Sequence, residues 1–209
     1  MAYVLGFFAA DGTMIRNNRG AHFVEFHVTD KQILKQIQEA LGSNHKIGLR
    51  IRDRKWKPGY RLQVGSKLLF KDLTTLGFTP NKSLTLSLPP IPKKCVSAFV
   101  RGYFDGDGNV YFKRHLVKGR KKPKWIFSSR FTSGSRRFLE DLQSMLHKHG
   151  LAKGFIIENQ RGFELVFSHH DSVALYSLMY DNNPRIYLKR KYKLFRKALM
   201  TLYGSTMRP

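Results

Sequence analysis

Two hydrophobic periods alternate along this chain. Stretches in which every second residue is apolar predict half-buried strands, and stretches with apolar residues three and four apart predict amphipathic helices. In the first half the predicted elements are helices over residues 2–11, 30–41 and 66–76 and strands over residues 21–28, 46–54 and 60–64. On the strand over residues 46–54, we expect Ile47, Leu49 and Ile51 to face the core.

The second half repeats this order of elements, with a further strand and an extra basic helix at the end. Its predicted helices cover residues 95–107, 133–149, 171–180 and 187–203, and its predicted strands cover residues 109–117, 124–132, 155–160 and 163–167. We therefore expect two αββαββα repeats, residues 1–88 and 95–209, joined by a linker at residues 89–94 that contains prolines. Strands with one apolar and one polar face predict antiparallel sheets backed by helices, an α+β fold.

The first predicted helix of each half carries the same pattern of small residues and acids. The two copies are VLGFFAADG at residues 4–12 and VRGYFDGDG at residues 100–108. Each places two small residues four positions apart on one helix face, Gly6 with Ala10 and Gly102 with Gly106. Small residues on one face allow two helix backbones to approach closely, so we expect these two helices to meet.

Each copy also ends in an Asp-Gly pair. Asp11 and Asp107 lie 96 residues apart, and the glycine after each is expected to end its helix at positive φ. A carboxylate at a helix C-terminus is not stabilised by the helix dipole, which is already negative there. Two such carboxylates side by side repel each other unless a cation lies between them, which favours a divalent metal.

The two segments resemble the paired LAGLIDADG motifs of homing endonucleases, in the monomeric form with both motifs on one chain. The similarity in element order extends over essentially all 209 residues. The first copy departs from the motif, because Ala9 stands where the second copy has Asp105, and we interpret this as the loss of a helix-end contact. The resemblance implies two pseudo-symmetric repeats, motif helices packed at the centre, and antiparallel sheets that form a DNA-binding saddle.

The resemblance also implies an activity. A family member of this form is a site-specific, divalent-metal-dependent endonuclease that hydrolyses both strands of a long asymmetric DNA target, with no covalent enzyme intermediate. Asp11 and Asp107 would bind the metal, and the carbonyl groups of Ala10 and Gly106 would assist. Mg²⁺ is the expected ion, because all of these ligands are oxygen atoms.

Further catalytic candidates are weaker. Asp30 and Ser133 lie where a strand passes into a helix, a place at which the family often has a polar residue that positions water. The family also tends to have a basic residue near each active site, for which Lys67, Lys82 and the histidines at residues 169–170 are alternatives. The sequence does not decide between them, and Lys67 is included among the catalytic candidates.

The polar faces of the predicted strands are rich in side chains that pair with base edges and phosphates. As candidate DNA contacts we take Glu25, His27, Arg50, Arg52, Arg61, Gln63, Lys124, Ser128, Arg130, Glu158, Gln160 and Glu164.

Composition agrees with a polyanionic partner. The chain has 38 Lys and Arg against 14 Asp and Glu, a formal charge of +24, and a pI near 10.4. With 42% apolar residues it is expected to form a real core, unlike a basic disordered tail. The single cysteine, Cys95, excludes a disulfide framework, and no segment has the form of a signal peptide or a membrane span. We expect an intracellular monomer that binds double-stranded DNA and no membrane.

Two other functions remain open. An intron-encoded RNA maturase would use the same basic strands to bind intron RNA, and a catalytically inactive DNA-binding protein would share the fold. The retained acids at both motif ends argue against the inactive form. Splice-junction segments do not flank the repeats, so we expect the chain not to be an intein itself, although it could derive from one.

Overall fold

The structure is a computed structural model that describes residues 1–51, 58–116, 119, 122–160 and 162–204. The chain divides into two compact units, Met1–Gly106 and Asp107–Pro209. The predicted linker at residues 89–94 separates the two sequence repeats and not these compact units, and it stays a prediction.

The first unit contains the elements assigned in the sequence and a further short strand, β1, after the first motif helix, which completes the expected αββαββα order. Its last helix, α4, extends one residue beyond the unit. The elements are α1 (Ala2–Asp11), β1 (Gly12–Arg16), β2 (His22–Val28), α2 (Lys31–Ala40), β3 (Ile47–Arg50), β4 (Gly59–Gly65), α3 (Lys67–Thr75), a 3₁₀ turn (Lys93–Cys95) and α4 (Val96–Asp107).

The first sheet is antiparallel, with strand order β1-β2-β4-β3. One face of it packs on helices: Phe7 and Phe8 of α1 contact Phe26 of β2, with ring centroids 6.4 and 5.9 Å apart. The apolar stripe of α2 is buried as well, as its spacing predicts. The opposite face of the sheet carries the polar side chains.

The second unit repeats this arrangement. Its elements are β5 (Gly108–His115), β6 (Lys124–Ser133), α5 (Arg136–His147), β7 (Phe155–Asn159), β8 (Gly162–Phe167), α6 (His169–Tyr180) and α7 (Lys189–Tyr203). The strand order is β5-β6-β8-β7, all antiparallel. Phe131, Leu165 and Phe167 are buried on the helix-covered face, and Phe195 of α7 packs edge-on against Phe127. The predicted α+β fold with two αββαββα repeats is confirmed.

Side chains ahead of three helices fix where those helices begin. Asp30 Oδ1 accepts a hydrogen bond from the backbone N of Gln32 at 2.9 Å, and Ser66 Oγ accepts one from Leu69 at 3.1 Å. Ser135 does the same for Phe138 at 3.3 Å. Such N-caps satisfy amide groups that lack helical partners. Because Ser135 is the cap, α5 begins later than predicted, and Ser133 lies in β6.

The predicted burial of the edge strand β3 is wrong in part. Leu49 shares the helix-covered face of the first sheet, since it pairs with Tyr60, but it is 59% exposed. Ile51, just after the strand, is 67% exposed. The helices therefore leave these positions at the edge of the sheet uncovered.

Within the described ranges, no helix is both long enough and apolar enough to cross a membrane.

Candidate nuclease site and nucleic-acid interface

The two motif helices cross at backbone contact distance. A Cβ atom added at Gly6 would lie 2.0 Å from the carbonyl oxygen of Phe99, and one added at Gly102 would lie 2.0 Å from the carbonyl oxygen of Tyr3. No side chain fits at such distances, so glycine is required at both positions. The predicted close meeting of the two helices is confirmed.

This crossing brings the ends of the motifs together. A Cβ added at Gly106 would lie 2.4 Å from the Cβ of Ala10 and 3.3 Å from Oδ2 of Asp11. The Asp11 carboxylate therefore lies against the last turn of α4, and Asp107 is the next and final residue of that helix. Asp11 and Asp107 are both half-buried.

The predicted reason for glycine after each aspartate is wrong. Gly12 has a φ of −83°, and Gly108 is not among the glycines with positive φ. Gly12 is needed for space instead, because a Cβ there would lie 2.0 Å from the ring of Phe8. The chain passes directly from each motif helix into the first strand of a sheet, so no left-handed turn is required.

Asp105, the acid of the second motif that the first motif replaces by Ala9, has a structural role. Asp105 is 2% exposed, and its Oδ2 accepts a hydrogen bond from the hydroxyl of Tyr3 at 2.7 Å. Ala9, at the corresponding place in the first motif, is buried. The first of the two motif acids therefore contributes to the helix crossing and not to the motif ends.

Five of the predicted DNA contacts form one polar network on the open face of the first sheet. Glu25 lies at its centre and is 4% exposed. It accepts a hydrogen bond from Gln63 Nε2, its Oε2 lies 2.9 Å from His27 Nε2, and Arg61 Nη1 lies 3.8 Å from its Oε1. Arg50 Nη1 lies 3.3 Å from His27 Nε2. The predicted contact Arg52 lies outside the described residues.

This network changes the role expected of Glu25. A carboxylate that is only 4% exposed is poorly accessible to a base edge, although its two oxygens could accept further hydrogen bonds. It fixes the orientation of Gln63 and His27, which are more exposed. His27 Nε2 cannot donate to Glu25 and accept from Arg50 at once, so the Arg50 guanidinium is the weakly held member of the network.

On the second sheet the predicted contacts divide between the two faces. Lys124, Ser128 and Arg130 alternate along β6 on the polar face, and Arg130 Nη1 forms a 2.9 Å ion pair with Glu164 of β8. The predicted placement of Glu158 is wrong: it pairs with Phe163 and so projects from the face opposite to Glu164.

Two further placements complete the second sheet. Gln160 lies in the turn after β7. Ser133 is buried at the end of β6, where its Oγ accepts a hydrogen bond from the Ser135 backbone, and this leaves it no exposed position for catalysis.

Sequence reasoning missed several polar-face residues. Tyr111, Lys113 and His115 of β5 lie opposite Ser128, Ile126 and Lys124, so they share the polar face of the second sheet. Thr13 of β1 lies opposite Glu25 on the first. In β5 polar and apolar residues alternate until Arg114 interrupts the pattern, so the sequence held a signal for this strand. The five residues of β1 are too few to show an alternation.

The family model of the LAGLIDADG-like domain matches residues 1–75 and 94–164 of this sequence. The chain belongs to the LAGLIDADG family. Each matched segment contains its own motif helix, α1 in the first and α4 in the second, so this LAGLIDADG protein has the two-motif form.

Solved structures of LAGLIDADG proteins share its fold. Meganuclease I-SmaMI bound to uncleaveable DNA superposes with a TM-score of 0.65 at 15% identity, over 96% of this chain and 89% of that one. I-AabMI bound to uncleaved DNA gives a TM-score of 0.65 at 13% identity, over 95% and 88%. I-SmaMI has also been solved on an uncleaved DNA target in the presence of calcium ions, with a TM-score of 0.64 at 14% identity and coverage of 100% and 93%.

Curated relatives match this LAGLIDADG chain over a small part of their own length. A probable translation initiation factor IF-2 of Thermococcus kodakarensis is 29% identical over 124 residues, which are 56% of this chain and 10% of the relative. The large subunit of DNA polymerase II from the same organism is 22% identical over 161 residues, 75% of this chain and 8% of the relative. The chain spans from 5% to 16% of the length of the curated relatives it matches.

The basic candidates differ in their surroundings. Lys67 is an exposed residue in the first turn of α3. Lys82 is only 6% exposed, and its Nζ lies 5.4 Å from the ring centroid of Phe8, three residues before Asp11 on α1. His169 Nε2 contacts the hydroxyl of Tyr203, and its ring packs against Phe127 in the core of the second unit. Lys82 is therefore the candidate held against a motif helix.

Proposed function

We propose that this LAGLIDADG protein is a site-specific endonuclease that cuts both strands of a long, asymmetric DNA target and depends on a divalent metal. The observation that carries the proposal is the crossing at Gly6 and Gly102, which holds the Asp11 carboxylate against the last turn of α4. That helix ends in Asp107. A carboxylate at the C-terminal end of a helix faces the negative end of the helix dipole, so a cation bound there stabilises it.

The available donors fit a hard divalent cation. Asp11 and Asp107 would hold it through carboxylate oxygens, and the carbonyl groups of Ala10 and Gly106 would assist. The described residues contain no cluster of three or more His, Cys, Asp or Glu that could hold a metal. A site with few protein ligands suits Mg²⁺, which keeps waters and binds substrate phosphates. Such an ion, when bound, stabilises negative charge on a phosphate and makes a coordinated water more acidic.

Lys82, rather than Lys67, is our choice for the basic residue that acts beside Asp11. It is buried, and its ammonium group lies 5.4 Å from the ring centroid of Phe8, on the motif helix that ends at Asp11. From this position its positive charge would act on the scissile phosphate. Asp30 keeps its capping role and, as a second-tier candidate, would act on water at the strand-to-helix junction.

The open polar faces of the sheets would bind the duplex. On the first sheet Arg50, Arg61 and Gln63 present donors that pair with guanine, phosphate and adenine. On the second sheet Lys124 and Arg130 provide the positive charge, with Ser128 between them. Because the two faces carry different side chains, a single chain would read an asymmetric target. The formal charge of +24 supports strong, salt-sensitive association with DNA.

The comparisons also support a mobile sequence as the origin of this chain. Relatives as different in name as a translation initiation factor and a DNA polymerase each match part of this chain, over 10% and 8% of their own length. A segment that recurs in otherwise unlike proteins behaves as an insertion. We infer that this protein serves the mobility of an intron or intein.

Selection of cleaved sites from a randomised duplex library tests this function. The purified protein is incubated with the library in Mg²⁺ and, in parallel, in EDTA, and the cut ends are sequenced. The proposal predicts one long asymmetric consensus in the Mg²⁺ reaction and none in EDTA. Site-specific binding without cleavage in any divalent ion would instead favour the inactive DNA-binding protein.

A further inference from the structure

The outer edge of the second sheet carries apolar side chains on its polar face. Ile157 of β7 lies directly opposite Glu164, and Phe155 lies directly opposite Val166, which in turn lies opposite Arg130. Directly opposed residues of an antiparallel pair project from the same face. Phe155, Ile157 and Val166 therefore form one apolar group, here called the β7 patch, beside the Arg130–Glu164 ion pair.

The β7 patch is exposed and is not part of the core. Phe155 is 51% exposed, Ile157 is 41% exposed, and Val166 is partly exposed. The residue of β7 that faces the helices is Ile156, which pairs with the buried Leu165. The strand therefore has apolar side chains on both faces, although only one of these faces is covered.

The fold does not require apolar residues at these positions. In the first sheet the corresponding edge strand, β3, places Gly48 and Arg50 on the polar face, opposite Arg61 and Gly59. Apolar side chains on an exposed edge strand promote unwanted association, and charged residues there usually prevent it. The second unit keeps the apolar residues despite this cost, which indicates a contact partner.

We propose that the β7 patch binds the 5-methyl groups of thymines in the major groove of the bound DNA. This inference rests on the proposed function, because the patch is continuous with the polar face assigned to DNA. Thymine is the one base that presents a methyl group in the major groove, and apolar side chains such as Phe contact it there. The second sheet then reads thymine through the β7 patch, whereas the edge of the first sheet presents Arg50 to guanine or phosphate.

Replacing thymine by uracil in the DNA tests the inference without changing the protein. Two randomised duplex libraries, one synthesised with thymine and one with uracil, are selected for binding to the wild-type protein. The thymine library should yield a consensus with thymine at one or more positions of one half-site. At those positions a uracil-containing duplex should bind about fourfold more weakly per methyl group, the factor expected for burial of one methyl group.

Two variants assign the effect to the patch. Ile157→Ala and Phe155→Ala should bind thymine and uracil duplexes equally at the affected positions. Met200→Ala is the matched control, since Met200 is a 58% exposed apolar residue of the same unit on helix α7. It should keep the full difference. Thermal melting checks that the variants fold, which we expect because both side chains are exposed; if one does not, the other patch variant decides.

The outcomes separate the inference from the function beneath it. A consensus that is equally strong in both libraries would overturn the inference and leave site-specific DNA binding intact. If both patch variants still bind the uracil duplex more weakly than the thymine duplex, the methyl groups are read elsewhere and the assignment to the β7 patch is overturned. The absence of any consensus in either library would refute the proposed function, and the inference with it.

Discussion

The hydroxyl of Tyr3 on α1 donates a 2.7 Å hydrogen bond to Asp105 on α4, and both side chains are buried. The sequence repeat relates these positions to Phe99 and Ala9, each 96 residues away. One side of the helix crossing therefore has a phenol paired with a carboxylate, and the other has neither the hydroxyl nor the carboxylate. The two polar groups occur together and are absent together, which is the pattern expected of a coupled pair.

This coupling can be measured with a double-mutant cycle. Tyr3→Phe removes the donor from a buried carboxylate, so it should lower the free energy of unfolding by about 1–3 kcal/mol. Combined with Asp105→Ala, its additional cost should be much smaller, with a coupling of roughly 0.5–3 kcal/mol. Chemical denaturation gives the values. The control Tyr60→Phe alters a half-buried phenol of the same unit and should change stability little. Additive single and double variants would mean that the two groups are not coupled.

Gly102 should tolerate no larger residue. A Cβ there would meet the carbonyl oxygen of Tyr3 at 2.0 Å, so Gly102→Ala should cost roughly 1–3 kcal/mol or more, and Gly102→Leu should prevent stable folding. Gly48→Ala is the matched control, because a Cβ at Gly48 would lie 4.0 Å from its nearest neighbour, the carbonyl oxygen of Arg61. Thermal melting of the purified variants distinguishes them. Equal midpoints for Gly102→Ala and Gly48→Ala would contradict the close crossing.

Glu25 should govern base preference more than overall affinity. Glu25→Ala releases Gln63 and His27 from fixed orientations while it removes one negative charge from the DNA-facing side. We expect unchanged or tighter binding to random DNA and a weaker preference, by about 1–3 kcal/mol, at the positions that these side chains read. Site profiling at two salt concentrations measures both quantities. Glu39→Ala removes an exposed acid of α2 and should leave the profile unchanged. A narrower or identical profile for Glu25→Ala would refute its orienting role.

His169 should make the second unit sensitive to acid. Burial, and secondarily the charge of nearby His170, lower the pKa of His169 below its ordinary value of 6.5. The unfolded chain then binds a proton more readily than the folded one, so stability should fall as pH decreases from 6.5 toward the folded-state pKa. His169→Asn should flatten this part of the stability curve. His147→Asn, at an exposed site on α5, should not. An unaltered slope in the His169 variant would exclude this residue as the cause.

Periodicity and capping residues predicted most of the fold. The stripe of Ile33, Leu34 and Ile37 and the cap at Asp30 were sufficient to place α2, because both signals are local. Likewise, the two Gly-x-x-x-small faces predicted the crossing of the motif helices. Alternation does not tell which inward-facing positions a neighbouring helix covers, and Leu49 and Ile51 are exposed.

The polar faces could be predicted only in part. Alternation placed Arg130 and Glu164 correctly but not Glu158, because the register of β7 against β8 depends on the turn between them. Nothing in the sequence distinguishes Glu25 from the other acids, and its burial follows from Gln63, Arg61 and His27 surrounding it on two strands. Lys82 lies in no periodic element, so its position against Phe8 required the tertiary structure.

The most direct measurement is linearisation of a supercoiled plasmid that carries the selected site, with Mg²⁺, by the wild-type protein and by three Asp→Asn variants. Asp11→Asn and Asp107→Asn should lose double-strand cleavage while binding the same site within about tenfold of wild type, because they remove metal ligands and not groove contacts. Asp72→Asn, at an exposed position of α3, should cleave like the wild type. An Asp107→Asn protein that linearises the plasmid at the wild-type rate would contradict the account.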